Sequence, residues 1–535
     1  MKVTDTFSGG KVPKSTKILY PTGTICRDAA YQLVSLFFLT YVQFCAPLGY
    51  GWEWNITSGA IRSSGLYYAQ MGVITFIIVL LKIWDGFNDP IMGWIIEKTH
   101  FKTGKYKPWI LIGGLSNAVV LYLMFTLRPG GWFYVIAFAL FYLLWDFTFT
   151  MNDIGYWSML PSLSSEEKER NTITTLVSIC ASVGAFAAGG IIPMVVAGNA
   201  VQTYSIIALI IAVLFAISQV ILFFFCKEHK RDDGIKEEEA KFSDMFKVLK
   251  NNSQTRITTI VMCIYYIGSA ILNGFGLNYF YYVYGYGNGG SIMTYFTVAY
   301  ALGTIIAQCL FPILIKKFSR AQLFRFSFYV LLIGYILFFL YDLPLNSSGF
   351  VLGLQGLGKT NSIMSLLDIA ILCLFGICIF AGQGIFYLIL IVMMTNTIEY
   401  NEYKTGERKE AVIFSLRPLT AKISSAIMNG VTYIGLFATS LYGISKGIGD
   451  YEIKKGLGEV TEQEVIENAD KLIEGINFSQ IIWLKFFMCI IPLVLFIVSY
   501  LLIKKYYIID EKYYKNMCEE IEQKKLSDIN NEKAL

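Results

Sequence analysis

Four short stretches hold residue types that an apolar chain rarely tolerates without a use. The first reads Lys82-Ile83-Trp84-Asp85-Gly86-Phe87-Asn88-Asp89-Pro90. Asn88 and Asp89 stand three and four residues after Asp85, and Lys82 three before it, so a helix puts them on one face. Two carboxylates and an amide oxygen are hard ligands suited to a small cation, or to a shared proton if one carboxylate is neutral. A buried network in which Lys82 merely neutralises the acids is the plainer alternative, but two acids against one lysine leave a charge to fill. The second stretch runs from Trp145 to Trp157 and sets Asp146, Thr150, Asp153 and Trp157 on one helical face. A carboxylate one turn from an indole suits a sugar, because the acid accepts hydroxyl hydrogen bonds while the ring packs on the pyranose C–H face. An interfacial tryptophan beside a helix-end charge is the bland alternative. Arg27-Asp28, opening the first apolar run, and Lys422, inside a late one, complete the set. A lone intramembrane lysine needs an acidic partner, and Asp28, Asp85, Asp89 and Asp153 are the candidates.

These residues sit in a chain of 535 residues that is 55% hydrophobic and only 16% charged. Soluble domains are nearer a quarter charged, and a crossing helix needs roughly 20 apolar residues, so the composition predicts an all-α polytopic membrane protein with about a dozen spans. Apolar runs fall near 29–50, 65–96, 108–127, 132–160, 171–198 and 202–226, and again near 256–286, 291–315, 322–341, 365–400, 411–445 and 478–505. The pattern predicts an N-terminal segment (1–28), a six-helix bundle (29–226), a polar linker (227–255), a second six-helix bundle (256–505) and a tail (506–535). A weak echo, Glu169-Arg170-Asn171 after the fourth span and Glu407-Arg408-Lys409 after the tenth, agrees with repeated halves around a midplane site. Lysines and arginines gather in the N-terminal segment, the loop from Lys98 to Lys107, the linker and the loop from Lys316 to Arg325, which predicts both termini to be cytoplasmic. The stretch Lys446–Glu474 carries eight acids and four lysines and is expected to form a small acidic cap on the outside.

Other signals exclude other functions. Net charge is +5, without a dense or aromatic-interleaved basic run, so nucleic acid is not an expected partner. Most of the ten cysteines lie inside apolar runs and no CxxC occurs; they read as small hydrophobes. Residues 1–28 lack the apolar stretch of a cleavable signal peptide. Gly353-Leu354-Gln355-Gly356-Leu357-Gly358-Lys359-Thr360 fits a phosphate-loop pattern, but it falls between two spans with no αβ domain to position it. The two histidines, His100 and His229, lie in loops, so no histidine-based catalytic or zinc site is expected, and the chain does not read as an enzyme. The seventh span is dense in tyrosine and carries Asn273, which suits a sugar path and helix packing equally.

Three ordered segments resemble the glycoside-pentoside-hexuronide:cation symporters of the major facilitator superfamily, the family of the melibiose permease. They are Ile83–Trp94 followed by Gly104–Trp109, then Asn152–Pro161, then Glu399–Gly406 running on to Lys422, within a resemblance covering about residues 15–505. The resemblance implies that Asp85, Asn88, Asp89 and Thr150 form a cation site, with Asp85 and Asp89 holding Na⁺ and Lys422 close to the acids. It implies that Asp28, Asp153 and Trp157 contact sugar, assisted by Arg27, and that Arg170 and Glu399 belong to gating networks. Lys82 is grouped with the gating residues; Phe149, Asn273 and Lys422 complete the expected substrate site. Departures from the melibiose permease are Ser178 in place of an arginine, Phe149 in place of a tyrosine, the pair Arg417-Pro418, and Asp146 as an added acid.

The expectation is therefore a secondary active transporter of the plasma membrane, multi-pass, monomeric and without a cofactor, coupling Na⁺ or H⁺ to a glycoside by alternating access. A uronide or an amphipath such as a lysolipid on the same fold, or a sensor that binds without transporting, are the competing readings.

Overall fold

The computed structural model describes residues 12–226, 242–341 and 366–534, apart from 57–59, 100, 102, 161–162, 164–166 and 408, together with the short strands β1 (Pro344–Asn346) and β2 (Gly349–Phe350) of an antiparallel hairpin. The phosphate-loop-like stretch 353–360 and the linker before residue 242 lie outside the described residues. The helices in chain order are α1 (Lys14–Gln32), α2 (Phe38–Cys45), α3 (Ser64–Lys98), α4 (Lys107–Thr126), α5 (Trp132–Met159), α6 (Glu167–Val196), α7 (Ala200–Phe225), α8 (Phe242–Asn251), α9 (Ser253–Tyr284), α10 (Tyr286–Lys317), α11 (Arg320–Leu340), α12 (Leu366–Thr405), α13 (Glu410–Ala438), α14 (Leu441–Gly456), α15 (Glu462–Glu474), α16 (Phe478–Lys485), α17 (Ile491–Tyr506) and α18 (Glu511–Ala534).

Among the described residues ten helices are long and apolar enough to cross a membrane, or eleven if α13 and α14, bent by 92°, are one span. The span that such a test passes over is α1, joined to α2 by the π-helical turn Leu33–Phe37. It starts at Lys14, well before the apolar run at residue 29, so Arg27 and Asp28 lie within a helix and not at its entrance. Hydropathy passes over α1 because it carries Lys14, Lys17, Arg27 and Asp28, although Arg27 is paired inside the protein. With it the described residues of this all-α fold hold eleven spans, or twelve if α13 and α14 are one.

The chain packs as two compact units. The first contains residues 1–236 together with 285–294 and 440–475; the second contains 237–284, 295–439 and 476–535. In the first unit α1 lies along α6 and α7, α4 along α5 and α7, and α3 along α5. The close approaches depend on glycine: a Cβ on Gly184 of α6 would stand 2.0 Å from the Ile25 carbonyl oxygen of α1, and one on Gly113 of α4 would stand 2.6 Å from the Asn152 backbone nitrogen of α5. Buried amides tie the same helices. Asn152 donates to the Ile110 carbonyl at 2.7 Å and to Gln219 at 3.2 Å, Gln219 donates to the Gly23 carbonyl at 3.2 Å, and Asn117 donates to Thr148 at 3.0 Å. In the second unit α9 packs on α13, α17 and α12, and α11 on α12.

The acidic stretch after α13 is not an open loop. Ser440, in the left-handed region at φ 59°, turns the corner into α14. Thr461 and Glu464 then form a capping box that starts α15, whose Val465, Ala469 and Ile473 recur at helical spacing and are buried.

Candidate functional site

Arg27 is the centre of the first unit's polar cluster. It is only 2% exposed, and its guanidinium donates from Nε at 3.2 Å and from Nη2 at 3.0 Å to Asp28 Oδ2. Its Nη1 lies 3.2 Å from Asp153 Oδ1, which also accepts the Trp157 indole N–H at 3.1 Å. The guanidinium faces the Tyr156 ring at 4.6 Å and the Trp157 ring at 5.7 Å. A planar fork with five donors can bridge two carboxylates and stack on rings at once, which an ammonium cannot.

The helices supply this geometry. Tyr20 of α1 and Tyr156 of α5 stack with ring centres 4.2 Å apart, and each hydroxyl donates to the other's backbone carbonyl, Tyr156 at 2.6 Å. That clamp fixes α1 against α5 one residue from Trp157. The buried arginine thus holds Asp28, Asp153 and the indole as one surface whose outer members are accessible, with Asp153 at 36% and Trp157 at 38%. The carboxyl oxygens beside the guanidinium keep lone pairs that accept hydroxyl donors.

Further along, Lys82, Asp85 and Asn88 of α3 are buried, as are Asp146 and Thr150 of α5, while Asp89 is half-buried. The two helices pack along each other. The Lys82 ammonium is held between the rings of Tyr31, at 5.8 Å, and Trp145, at 5.6 Å, and feels the charges of Asp85 and Asp146. Phe149 stacks on Trp145 at 5.4 Å and meets Tyr31 at 5.2 Å, so it belongs to this aromatic wall around Lys82. Among the described residues no group of three or more His, Cys, Asp and Glu side chains is gathered as a metal site, so oxygen ligation here would draw on Asn88 and Thr150 beside the carboxylates.

The remaining residues are dispersed. Lys422 lies half-buried on α13 and Asn273 on α9, both in the second unit, whereas the acids named above lie in the first. Asn273 donates back to Ser269 of its own helix at 3.5 Å. Glu399 of α12 acts on Tyr514 of α18. Arg170 lies on α6 beside Glu169, which takes the Lys17 ammonium at 2.5 Å and the Val12 backbone N–H at 3.0 Å. Sequence reasoning missed Tyr31, Trp145 and Tyr156 as the rings around the two buried cations. The available signal was their helical spacing from Lys82 and Arg27 partners: Trp145 adjoins Asp146, and Tyr156 adjoins Trp157.

In the second unit a neutral network stands where α9, α11 and α12 meet. Ser269 donates to Gln383 at 3.2 Å, Gln383 to the Tyr335 hydroxyl at 2.9 Å, and Tyr265 to the Gln383 carbonyl at 2.9 Å. Tyr266 donates to Tyr387 at 3.0 Å, with the Arg417 guanidinium 6.0 Å from the Tyr387 ring.

Known proteins share sequence and fold with the chain. The chain is 28% identical over 432 residues to a raffinose carrier protein of Pediococcus pentosaceus and 26% identical over 428 residues to a lactose permease of Lactobacillus delbrueckii subsp. bulgaricus. These matches cover 78% and 77% of the chain but 61% of each relative, so the chain spans about three fifths of their length. An isoprimeverose transporter of Lactiplantibacillus pentosus is 22% identical, with 80% of the chain and 81% of the relative covered. Among solved structures, an inward-facing, unoccupied bacterial homologue of the human lysosomal transporter Spinster superposes with a TM-score of 0.55 at 12% identity, covering 92% of this chain and 97% of that one. The nucleoside transporter NupG gives 0.54 at 14% identity, covering 91% and 99%. The fold is thus that of the major facilitator transporters, and the family described as MFS/sugar transport protein matches residues 25–510. The chain belongs to that family of multi-pass membrane proteins.

Proposed function

We propose that the protein is a secondary active transporter that carries a neutral glycoside together with a monovalent cation, Na⁺ or H⁺, by alternating access. The observation that carries this reading is the Arg27 cluster. The buried guanidinium faces the carboxyl groups of Asp28 and Asp153, while Asp153 and Trp157 offer a hydroxyl acceptor and an apolar ring on one accessible edge. That combination suits a pyranose and disfavours a uronide. The names of the relatives, a raffinose carrier, lactose permeases and an isoprimeverose transporter, point to the same substrate class.

In this reading Asp85 and Asp89, with Asn88 and Thr150, take the cation, and Lys82 offsets part of their charge. Arg170 and Glu399 act in gating. Binding of cation and sugar is then linked, each favouring the other by one factor. The protein works as a monomer in the plasma membrane with both termini in the cytoplasm.

The test is the melting temperature of the purified protein with lactose, raffinose, a glucuronide or a lysolipid, each with and without Na⁺ and at two pH values. A ligand of the native state raises the melting temperature. Stabilisation by a neutral sugar that grows with Na⁺ or with acid supports cation-coupled glycoside transport; stabilisation by the glucuronide or lysolipid alone contradicts it. Counterflow of the stabilising sugar in proteoliposomes separates a carrier from a sensor.

A further inference from the structure

The second unit has a basic cavity that plays no part in the site described above. It lies where α11 begins, at Arg320, and where α17 ends, at Tyr506, before the short link to α18. Its volume is about 310 Å³, at the small end of ligand pockets, and its charged lining is Arg320, Arg325, Lys504, Asp510 and Glu511. All of these residues belong to one compact unit.

Both acids are engaged. Glu511 Oε1 accepts the Arg320 backbone N–H at 2.5 Å and lies 3.4 Å from the Arg320 Nε, while that guanidinium faces the Tyr514 ring at 5.6 Å. Asp510 accepts the Tyr513 backbone N–H at 2.7 Å, as a residue at the start of α18 is placed to do. Arg325 and Lys504 differ. Both are exposed, and among the described residues neither side chain has an ion pair or a hydrogen-bond partner. Two such cations on one cavity repel each other and attract an anion.

The walls are preformed. Tyr500 of α17 stacks on Phe328 of α11 with ring centres 4.4 Å apart and on Phe324 at 5.6 Å. The link beyond α17 is pinned on its other side: the Ile508 backbone N–H donates to Gln254 at 3.0 Å, Gln254 donates to the Tyr506 carbonyl at 3.3 Å, and the Tyr507 hydroxyl donates to the Met393 carbonyl at 3.1 Å. A site fixed in this way loses little entropy when it is filled. About one turn further into each helix the surface is apolar. Tyr329, four residues after Arg325, and Leu501, three before Lys504, share the helical faces of the two cations and are exposed, as is Phe326. The cations therefore stand where each helix passes from apolar to charged surface, and an occupant of the cavity lies beside lipid chains.

We propose that this cavity binds the phosphate of an anionic phospholipid, held by Arg325 and Lys504. A guanidinium offers two parallel N–H donors to phosphate oxygens and an ammonium adds a point charge. Basic pockets between membrane helices hold lipid headgroups in this manner, and the basic run from Lys316 to Arg325 puts the site on the side that the positive-inside rule makes cytoplasmic. The flanking apolar side chains favour a lipid over a soluble phosphate, because only a lipid also covers Phe326, Tyr329 and Leu501. The plainer reading is that each cation snorkels to whatever headgroup passes. Snorkelling treats Arg325 and Lys504 no differently from Lys316 and Lys317, which are exposed on the same basic run but do not line the cavity. The proposal does not depend on which solute is carried.

The test titrates short-chain phosphatidylglycerol into the purified full chain in a neutral detergent and reads the melting temperature, which a ligand of the native state raises. Phosphatidylcholine, glycerol phosphate and inorganic phosphate are titrated alongside and should have no comparable effect. Arg325→Gln and Lys504→Gln should each weaken phosphatidylglycerol binding roughly fivefold and the double variant about 25-fold, while Arg325→Lys should bind more tightly than Arg325→Gln. The charge-matched pair Lys316→Gln with Lys317→Gln should stay within about twofold of the wild type. An equal loss in that pair, or an unchanged affinity in Arg325→Gln and Lys504→Gln, overturns the cavity. Equal stabilisation by glycerol phosphate or inorganic phosphate overturns the lipid, and equal stabilisation by phosphatidylcholine overturns the requirement for an anion. Melting without lipid shows which variants fold, and the single variants decide should the double not fold.

Discussion

Replacing Arg27 by lysine keeps the charge and removes the fork, and the structure sets the size of the effect. The wild-type guanidinium makes two bonds to Asp28, at 3.2 and 3.0 Å, and approaches Asp153 at 3.2 Å. A lysine ammonium, one atom shorter in reach and not planar, can serve one carboxylate but not both. Hydrogen bonds to charged groups are worth about 1.5–3 kcal/mol each. Because Asp28 is 25% and Asp153 36% exposed, water replaces part of what is lost, and the lower end applies. The expected loss of about 1.5 kcal/mol corresponds to roughly a tenfold rise in Kd for sugar. Isothermal titration of the purified variant with whichever neutral sugar stabilises the wild type reads it directly, and the melting temperature shows whether the variant is folded. A folded Arg27→Lys protein that binds this sugar within about twofold of the wild type would show that Asp28 and Asp153 are placed by their helices alone, and would refute the organising role of the arginine.

Three further outcomes follow from the same geometry. Asp85→Asn and Asp89→Asn should each weaken or abolish the stimulation of sugar binding by cation while leaving cation-free binding measurable; titration with and without Na⁺ at two pH values checks it. Gly184→Ala should destabilise the first unit by about 1–3 kcal/mol, since a Cβ 2.0 Å from the Ile25 carbonyl forces α6 off α1, and it should lower both the melting temperature and sugar affinity. Thr461→Ala should cost about 1 kcal/mol through loss of the N-cap of α15, seen as faster hydrogen exchange confined to residues 462–474.

Much of the architecture was legible before any coordinates, because a bilayer admits only segments whose backbone groups are satisfied internally and which therefore advertise themselves as long apolar runs. The same constraint marked Asp85, Asp89, Asp153 and Lys82, since charge inside a span is costly enough to need a reason. Helical spacing alone placed Asp153 and Trp157 one turn apart, and the 3.1 Å bond between them is its consequence. The start of α1 was not legible. Hydropathy counts Arg27 as a charge facing lipid, whereas tertiary pairing with Asp28 and Asp153 makes it a buried strut.

What only the tertiary structure decided is partnership. Sequence set Arg27 and Asp153 126 residues apart, and only the packing beside the Tyr20–Tyr156 clamp shows the guanidinium reaching that carboxyl at 3.2 Å. It showed an acidic stretch at 446–474 without showing that Glu452, 252 residues beyond Ala200, completes the start of α7. The physical reason is the same in both cases. A residue's type and its neighbours along a helix are local properties that periodicity reveals, but which distant donor satisfies a buried carboxylate depends on how the helices pack, and the close glycine contacts that set this packing leave no periodic trace.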